Sequence, residues 1–115
     1  MCATPARARA APPFPDYPEL KAEGEKVYAA NCVACHQANG KGVPGTFAAL
    51  DGSKVATGAK CEHINIVMNG KTGTAMAAFK HVSDVQIAAV VTYERNSWGN
   101  AAGDLVQPSE INQLR

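Results

Sequence analysis

The residues with the clearest chemical pattern are Cys32, Cys35 and His36, which form a Cys-x-x-Cys-His motif. Two thiols at this spacing can bond to the two vinyl groups of one porphyrin, and the adjacent imidazole can then bind the iron. The motif therefore predicts one covalent haem c, with Cys32 and Cys35 as thioether donors and His36 as the first axial ligand.

A zinc half-site and a thioredoxin-like redox pair are the two other functions open to a Cys-x-x-Cys pair. Structural zinc requires two further ligands at a similar spacing, and the remaining cysteines, Cys2 and Cys61, are far apart in the chain. A thioredoxin-like pair follows a β-strand, whereas the residues before Cys32 have a helical pattern. Haem c explains the motif best. For Cys2, a lipid anchor, a disulfide with Cys61 and a free thiol all remain open.

Met76 is the candidate for the sixth ligand of the iron. It lies among small residues between Lys71 and Phe79, where the backbone can lie flat against a porphyrin. A thioether is also a soft ligand that suits haem iron. Met68 falls beside Val67 on a helical pattern and is expected in the core instead.

His63 and His81 are the rival ligands for that position. Bis-histidine ligation would lower the reduction potential relative to His36 with Met76. His63 falls on a predicted helix face and His81 lies just before a helix cap, both ordinary positions for a histidine, so we favour Met76. A haem sensor or peroxidase-like enzyme would need an open or displaceable sixth position.

The loop that follows the motif, residues 37–45, is rich in glycine and can wrap one edge of the haem. We expect a carbonyl in this loop, that of Pro44, to accept the second imidazole N–H of His36 and so fix its tautomer. Phe47 and Leu50 follow as apolar residues that would pack against the haem.

The motif is expected to lie between the helices of an all-α fold. Capping residues, helix-stop residues and hydrophobic spacing together define the helices. The predicted helices begin near Glu19 and run into the motif, extend from Cys61 to Met68, begin at the capping box of Ser83-Asp84-Val85-Gln86, and begin at Pro108.

Gly24 is predicted to mark a close crossing of the first and third helices. A glycine inside a helix costs about 1 kcal/mol relative to alanine, which favours a packing reason for it. Val90 and Tyr93 are the residues expected across from Gly24 and Tyr28.

Length and charge limit the remaining possibilities. The 115 residues suffice for one small domain, and Lys and Arg exceed Asp and Glu by only 11 to 10, so the basic excess that nucleic-acid binding needs is absent. The Ala-, Pro- and Arg-rich stretch 1–18 is predicted to be a linker, and 19–115 the folded domain. With no apolar run of ~18 residues, we expect membrane attachment only through an upstream anchor or a parent complex.

Several segments together resemble a class I cytochrome c, specifically the cytochrome c domain fused to the C-terminus of bacterial cytochrome c oxidase subunit II. The likeness extends over about three quarters of the chain, and the segments that carry it are 31–37, 73–76, 83–84, 92–100, 103–104 and 106–108. The departures are Ala48, where the family often has proline, and Cys61. The copper ligands of subunit II proper are missing, so no copper is expected.

The resemblance implies a class I cytochrome c fold, with three main helices plus loops around one covalent haem. It also implies a one-electron carrier that is not itself an enzyme. Its donor would be a cytochrome c or a bc-type complex, and its acceptor the copper domain of a terminal oxidase. The expected location is the periplasm or the periplasmic face of the membrane, and the isolated domain is expected to be a monomer. A free-standing periplasmic cytochrome, or the cytochrome subunit of a membrane dehydrogenase, is the alternative.

Overall fold

The computed structural model describes residues 17–43, 45–71, 73–74 and 76–115, with side chains from Leu20 onward. That part of the chain contains six helices and no strand, only an isolated bridge between Val43 and Phe47. The helices are α1 (Tyr17–Asn31), α2 (Val33–His36), α3 (Lys54–Thr57), α4 (Lys60–Asn69), α5 (Asp84–Arg95) and α6 (Pro108–Leu114). The predicted all-α class is confirmed, with α1, α4 and α5 as the three main helices of a class I cytochrome c fold.

The first helix begins earlier than predicted. It starts at Tyr17 rather than near Glu19 and includes Pro18 in its first turn. Proline is tolerated there because the first backbone N–H groups of a helix have no intrahelical acceptor. Residues 1–16 of the predicted linker lie outside the described residues.

Capping residues define the other helices much as the sequence indicates. The Ser83 side chain accepts the Gln86 backbone N–H at 3.2 Å and so caps α5, and Gly70 follows α4 with a positive φ of 74°. Proline occupies the first turn of α6 as predicted. The short helix α3 is new, and its N-cap is Ser53, whose hydroxyl accepts the amides of Val55 and Ala56.

Helices α1 and α5 form the most extensive helix pair and cross at Gly24. A Cβ at Gly24 would lie 2.1 Å from the Ala89 carbonyl oxygen and 2.6 Å from Tyr93 Cβ. The predicted crossing is therefore present and involves Tyr93. Its second contact is the backbone of Ala89, one residue before the expected Val90.

An aromatic cluster closes the end of this crossing. The ring centroids of Tyr28, Tyr93 and Trp98 lie 5.3 to 5.7 Å from one another. The Trp98 indole N–H donates to the Ala38 carbonyl at 2.9 Å, and the Tyr28 hydroxyl donates to the Gln37 carbonyl at 2.6 Å. These two hydrogen bonds attach the loop after α2 to the helix crossing, so Trp98 is a packing residue whose indole N–H is satisfied.

Arg95 connects the end of α5 to α3. Its side chain is 5% exposed, forms a two-pronged ion pair with Asp104, and donates to the carbonyls of Ala56 and Gly58. A buried guanidinium is stable only when its donors are satisfied in this way.

Among the helices that the structure describes, none is long and apolar enough to cross a membrane.

Candidate functional site

The Cys-x-x-Cys-His motif occupies the junction of α1 and α2. The Cys32 carbonyl accepts the amides of Cys35 at 3.2 Å and His36 at 2.9 Å, so the motif is one turn of helix. Both thiols are free and half-buried. A helical turn places the two sulfur atoms and the imidazole near one another, as attachment to one porphyrin requires.

The His36 ring is held by one hydrogen bond from behind. Its Nδ1 lies 2.7 Å from the carbonyl oxygen of Ala48. When Nδ1–H donates there, Nε2 remains free to bind a metal. Pro44, the expected source of this carbonyl, lies outside the described residues. The sequence indicates no such role for Ala48, which differs from the resembled family only in that the family often has proline there.

The glycine at position 42 allows the loop to return close to His36. Its amide donates to the His36 carbonyl at 2.9 Å, and its φ is +63°. A Cβ at this position would lie 2.4 Å from the Phe47 carbonyl oxygen. A side chain would therefore push away the segment that carries Ala48, so Gly42 maintains the orientation of the His36 ring.

Two cavities, of about 120 and 350 Å³, border the motif. Cys32, His36 and Met76 line both of them. Since the cavities share these walls, we call them together the crevice. Besides those three residues, both share Asn31, Ala48 and Phe79.

The predicted site residues that the structure describes all line this crevice. Cys35 and Phe47 line its larger cavity and Leu50 its smaller one. Two thiols, an imidazole and a thioether on a largely apolar surface are the donor set that a haem c requires, so these residues fit the group. Met68 is buried in the core at 1% exposure, as predicted, and His81 is exposed.

Two further residues of the crevice, His63 and Glu94, were not predicted to act together. His63 Nε2 lies 2.6 Å from Glu94 Oε1, and both residues line the smaller cavity. The sequence analysis treated His63 as a rival iron ligand and gave Glu94 no role. The available signal was a glutamate among the apolar residues of α5, where a buried charge needs a partner.

Burial and the Glu94 charge raise the pKa of two neighbouring side chains, a thiol and a phenol. Burial, and after it the charge of Glu94, raises the pKa of the Cys32 thiol to about 12. The same two causes, in the same order, raise the pKa of Tyr28. A raised thiol pKa lowers the fraction of Cys32 that is present as the reactive thiolate.

The zinc alternative finds no support in the part of the chain that the structure describes. No group of three or more His, Cys, Asp or Glu side chains there could hold a metal ion. Cys61 is buried on α4 and is disulfide-bonded, whereas the alternatives for Cys2 concern a residue outside the described range.

The family model that matches this chain, over residues 19–93, is described as cytochrome c oxidase, cbb3-type, subunit III. Residues 19–93 include the cysteine motif, Met76 and most of α5. The match covers more than half of the chain and contains every residue proposed above for the crevice except Glu94.

The chain is also similar to cytochrome c subunits of larger enzymes and to a cytochrome c-552. The cytochrome c subunit of a quinone-dependent alcohol dehydrogenase from Gluconobacter oxydans is 37% identical over 103 residues. Cytochrome c-552 of Thermus thermophilus is 34% identical over 95 residues, covering 70% of this chain and 72% of that protein. The cbb3-type oxidase subunit FixP of Azorhizobium caulinodans is 34% identical over 80 residues, which are 68% of this chain and 27% of that subunit. The Gluconobacter match covers 80% of this chain but only 22% of that subunit's length.

Proposed function

The chain belongs to the cytochrome c family described by the cbb3-type subunit III model, and from this premise we propose that it is a one-electron carrier with a single covalent haem. Members of this family bind haem c and act in electron transfer, which by itself is not enzymatic. The observation that carries the proposal is the crevice, where Cys32, His36 and Met76 line both cavities.

Cys32 and Cys35 would hold the porphyrin through thioether bonds, and His36 and Met76 would bind the iron on its two faces. Haem iron supplies a centre that changes by one electron between its ferric and ferrous states. The Ala48 carbonyl keeps the His36 ring in one orientation and one tautomer. If His36 and Met76 both bind the iron, no position would be left for a substrate, which favours a carrier over a sensor or peroxidase.

The apolar side chains of the crevice would keep water away from a bound porphyrin. Leu50, Val67 and Phe79 line the smaller cavity, and Phe47 lines the larger one. A dry surrounding favours the less charged ferrous state and so raises the reduction potential. A thioether ligand acts in the same direction, because it is softer than histidine or water.

For the parent complex we propose a terminal oxidase, with electrons arriving from a cytochrome c or a bc-type complex and leaving to the oxidase copper centre. The description of the matching family model and the similarity to FixP support a place in an oxidase. Fusion to an oxidase subunit II and a periplasmic location are parts of this proposal. The predicted partners are therefore redox proteins.

A specific observation also favours the alternative, a dehydrogenase cytochrome subunit or a free-standing carrier. The Gluconobacter relative is the cytochrome subunit of a dehydrogenase, and the Thermus cytochrome c-552 matches over most of its own length. Stopped-flow mixing distinguishes the two proposals for the parent complex. Rapid oxidation of the ferrous protein by a purified terminal oxidase supports the first, and rapid reduction of the ferric protein only by a quinone-linked dehydrogenase supports the second.

The carrier function itself is tested on the purified protein. We expect the haem colour to remain with the polypeptide after denaturation and acid–organic extraction, because thioether bonds do not depend on the fold. The Cys32→Ala and Cys35→Ala variants should each give a poor yield of coloured protein. A haem that extracts freely, or ferrous protein that binds carbon monoxide readily at neutral pH, would contradict the proposal.

A further inference from the structure

His63 on α4 and Glu94 on α5 form an ionisable pair inside the protein. Their side chains are 3% and 4% exposed, and the Nε2 to Oε1 distance is 2.6 Å. Burying a carboxylate is costly unless a hydrogen bond or an opposite charge compensates it. The pair is therefore a compact unit in which the imidazole and the carboxylate can share protons.

The second ring nitrogen of His63 is the notable feature of this pair. Nδ1 is buried and has no hydrogen-bond partner among the residues that the structure describes. Nε2–H can donate to Glu94, and Nδ1 then carries a lone pair. A proton can be added at Nδ1 without breaking the bond to Glu94, which makes the pair a proton acceptor.

The pair also faces the cofactor site. His63 and Glu94 line the same cavity as Cys32, His36 and Met76. The interior of a protein screens charge much less than water does. A change of one charge on a group held in that crevice will therefore change how tightly the pair binds a proton.

The charged groups on α4 and α5 near the pair are either paired with other residues or exposed to solvent, so they do not take over its proton binding. On α5 the neighbouring Arg95 is neutralised by Asp104 and turned toward α3. On α4 Lys60 pairs with Glu110 of α6, and Glu62 is exposed. Salt bridges hold both buried or half-buried cations in place, so neither is free to neutralise Glu94.

The elements on the other sides contribute groups of a different kind. From α1, Tyr28 and Cys32 face the Glu94 charge, and burial first and that charge second raise the pKa of each. The remaining groups are His36 of α2, an expected iron ligand, and the exposed Lys54 of α3 and Lys71 after α4. Lys71 lines the smaller cavity but is open to solvent, where its charge is screened.

We propose that the His63–Glu94 pair is a proton-binding site that couples electron transfer to proton transfer in this protein. This rests on the proposed function, since it requires the haem. On reduction, the haem gains one electron from the donor protein and the pair gains one proton from water. On oxidation the electron passes to the acceptor and the proton returns to water. The carrier thus moves one electron and, at suitable pH, up to one proton.

The test is the midpoint potential of the holoprotein, measured from about pH 5 to 9, a range that brackets imidazole titration. Each tenfold fall in proton concentration should lower the potential by up to 59 mV within the coupled range. A tenfold difference in proton affinity between the two redox states would give a total fall of about 59 mV. A potential that does not change with pH overturns the proposal.

Two variants locate the proton. Glu94→Gln keeps the shape but removes the charge that stabilises the protonated imidazole, so the slope should move to lower pH. The double variant His63→Leu/Glu94→Leu removes the proton acceptor and should abolish the slope, and replacing a buried ion pair by apolar residues is often neutral for stability. His81→Gln, at an exposed histidine, is the matched control and should keep the wild-type slope. A slope that persists in the double variant places the proton elsewhere, for example on a haem propionate, and overturns the proposal.

A measurement on the unaltered sequence covers the case in which the variants do not fold. Infrared difference spectra between reduced and oxidised protein, with ring-13C histidine, should show an isotope-shifted imidazole band whose amplitude depends on pH. Absence of a pH-dependent histidine band overturns the proposal. Extraction of the haem and its one-electron titration are checked on the same samples. If these fail, the carrier function falls; if they hold and the potential is flat, only the proton site does.

Discussion

Replacing Gly24 by valine is the sharpest test of the helix crossing that shapes the crevice. The structure places a Cβ at this position 2.1 Å from the Ala89 carbonyl oxygen and 2.6 Å from Tyr93 Cβ. Ordinary contact begins at 3.4 Å, and the nearer neighbour is backbone, which cannot rotate away. Helices α1 and α5 must separate to accommodate any side chain.

The size of the effect follows from two opposing contributions. Overpacking of this kind costs about 1–3 kcal/mol. Valine has a slightly better helix propensity than glycine, which returns about 0.3 kcal/mol. The net loss should therefore be about 1–3 kcal/mol, equivalent to a melting temperature about 4–20 °C lower for a domain near this size.

Thermal and denaturant unfolding of the holoprotein, followed by circular dichroism, measures this loss. Ala29→Val is the matched control, because Ala29 is exposed on the same helix and valine there costs only about 0.6 kcal/mol of helix propensity. The denaturant midpoint of Gly24→Val should fall with little change in slope. If Gly24→Val melts no lower than Ala29→Val, the glycine is merely tolerated and the argument from close packing is wrong.

Two other substitutions test the iron ligand and the buried arginine. Met76→Ala should abolish the weak red absorption band that reports sulfur on ferric haem, lower the potential and admit cyanide or carbon monoxide, whereas the volume-conserving Met68→Leu should change none of these. Loss of the band in Met68→Leu alone would show that the ligand is misassigned. Arg95→Ala should destabilise the fold by about 3 kcal/mol or more, because it breaks a buried ion pair, while Lys60→Ala, at a partly exposed pair, should cost about 1 kcal/mol or less. Equal midpoints for these two variants in a denaturant titration would contradict that reasoning.

The chemistry of this protein could be read from the sequence because it depends on local spacing. Cys32, Cys35 and His36 are brought together by a single turn of backbone, so their order in the chain already determines their proximity. The same is true of the caps at Ser83 and Pro108, where a side chain or ring acts on its own helix. Ser53 carried the same kind of signal for α3, which could have been predicted on that basis.

The helix crossing was predictable in part. A glycine within a helical pattern indicates a close approach, and Tyr93 is indeed its neighbour. Whether the second contact is Ala89 or Val90 depends on how far α5 is rotated about its own axis. The packing of the whole core sets that rotation, and the spacing of apolar residues along one helix does not specify it to a single residue.

The remaining features were decided by tertiary structure alone. The carbonyl that holds His36 belongs to Ala48, twelve residues away, and a backbone carbonyl has no sequence signature because every residue has one. His63 and Glu94 are 31 residues apart and meet only where α4 packs on α5. Glu94 among the apolar residues of α5 indicates that a buried partner exists, but not which residue it is. Their partnership depends on the register of two packed helices, which long-range packing determines and local sequence does not.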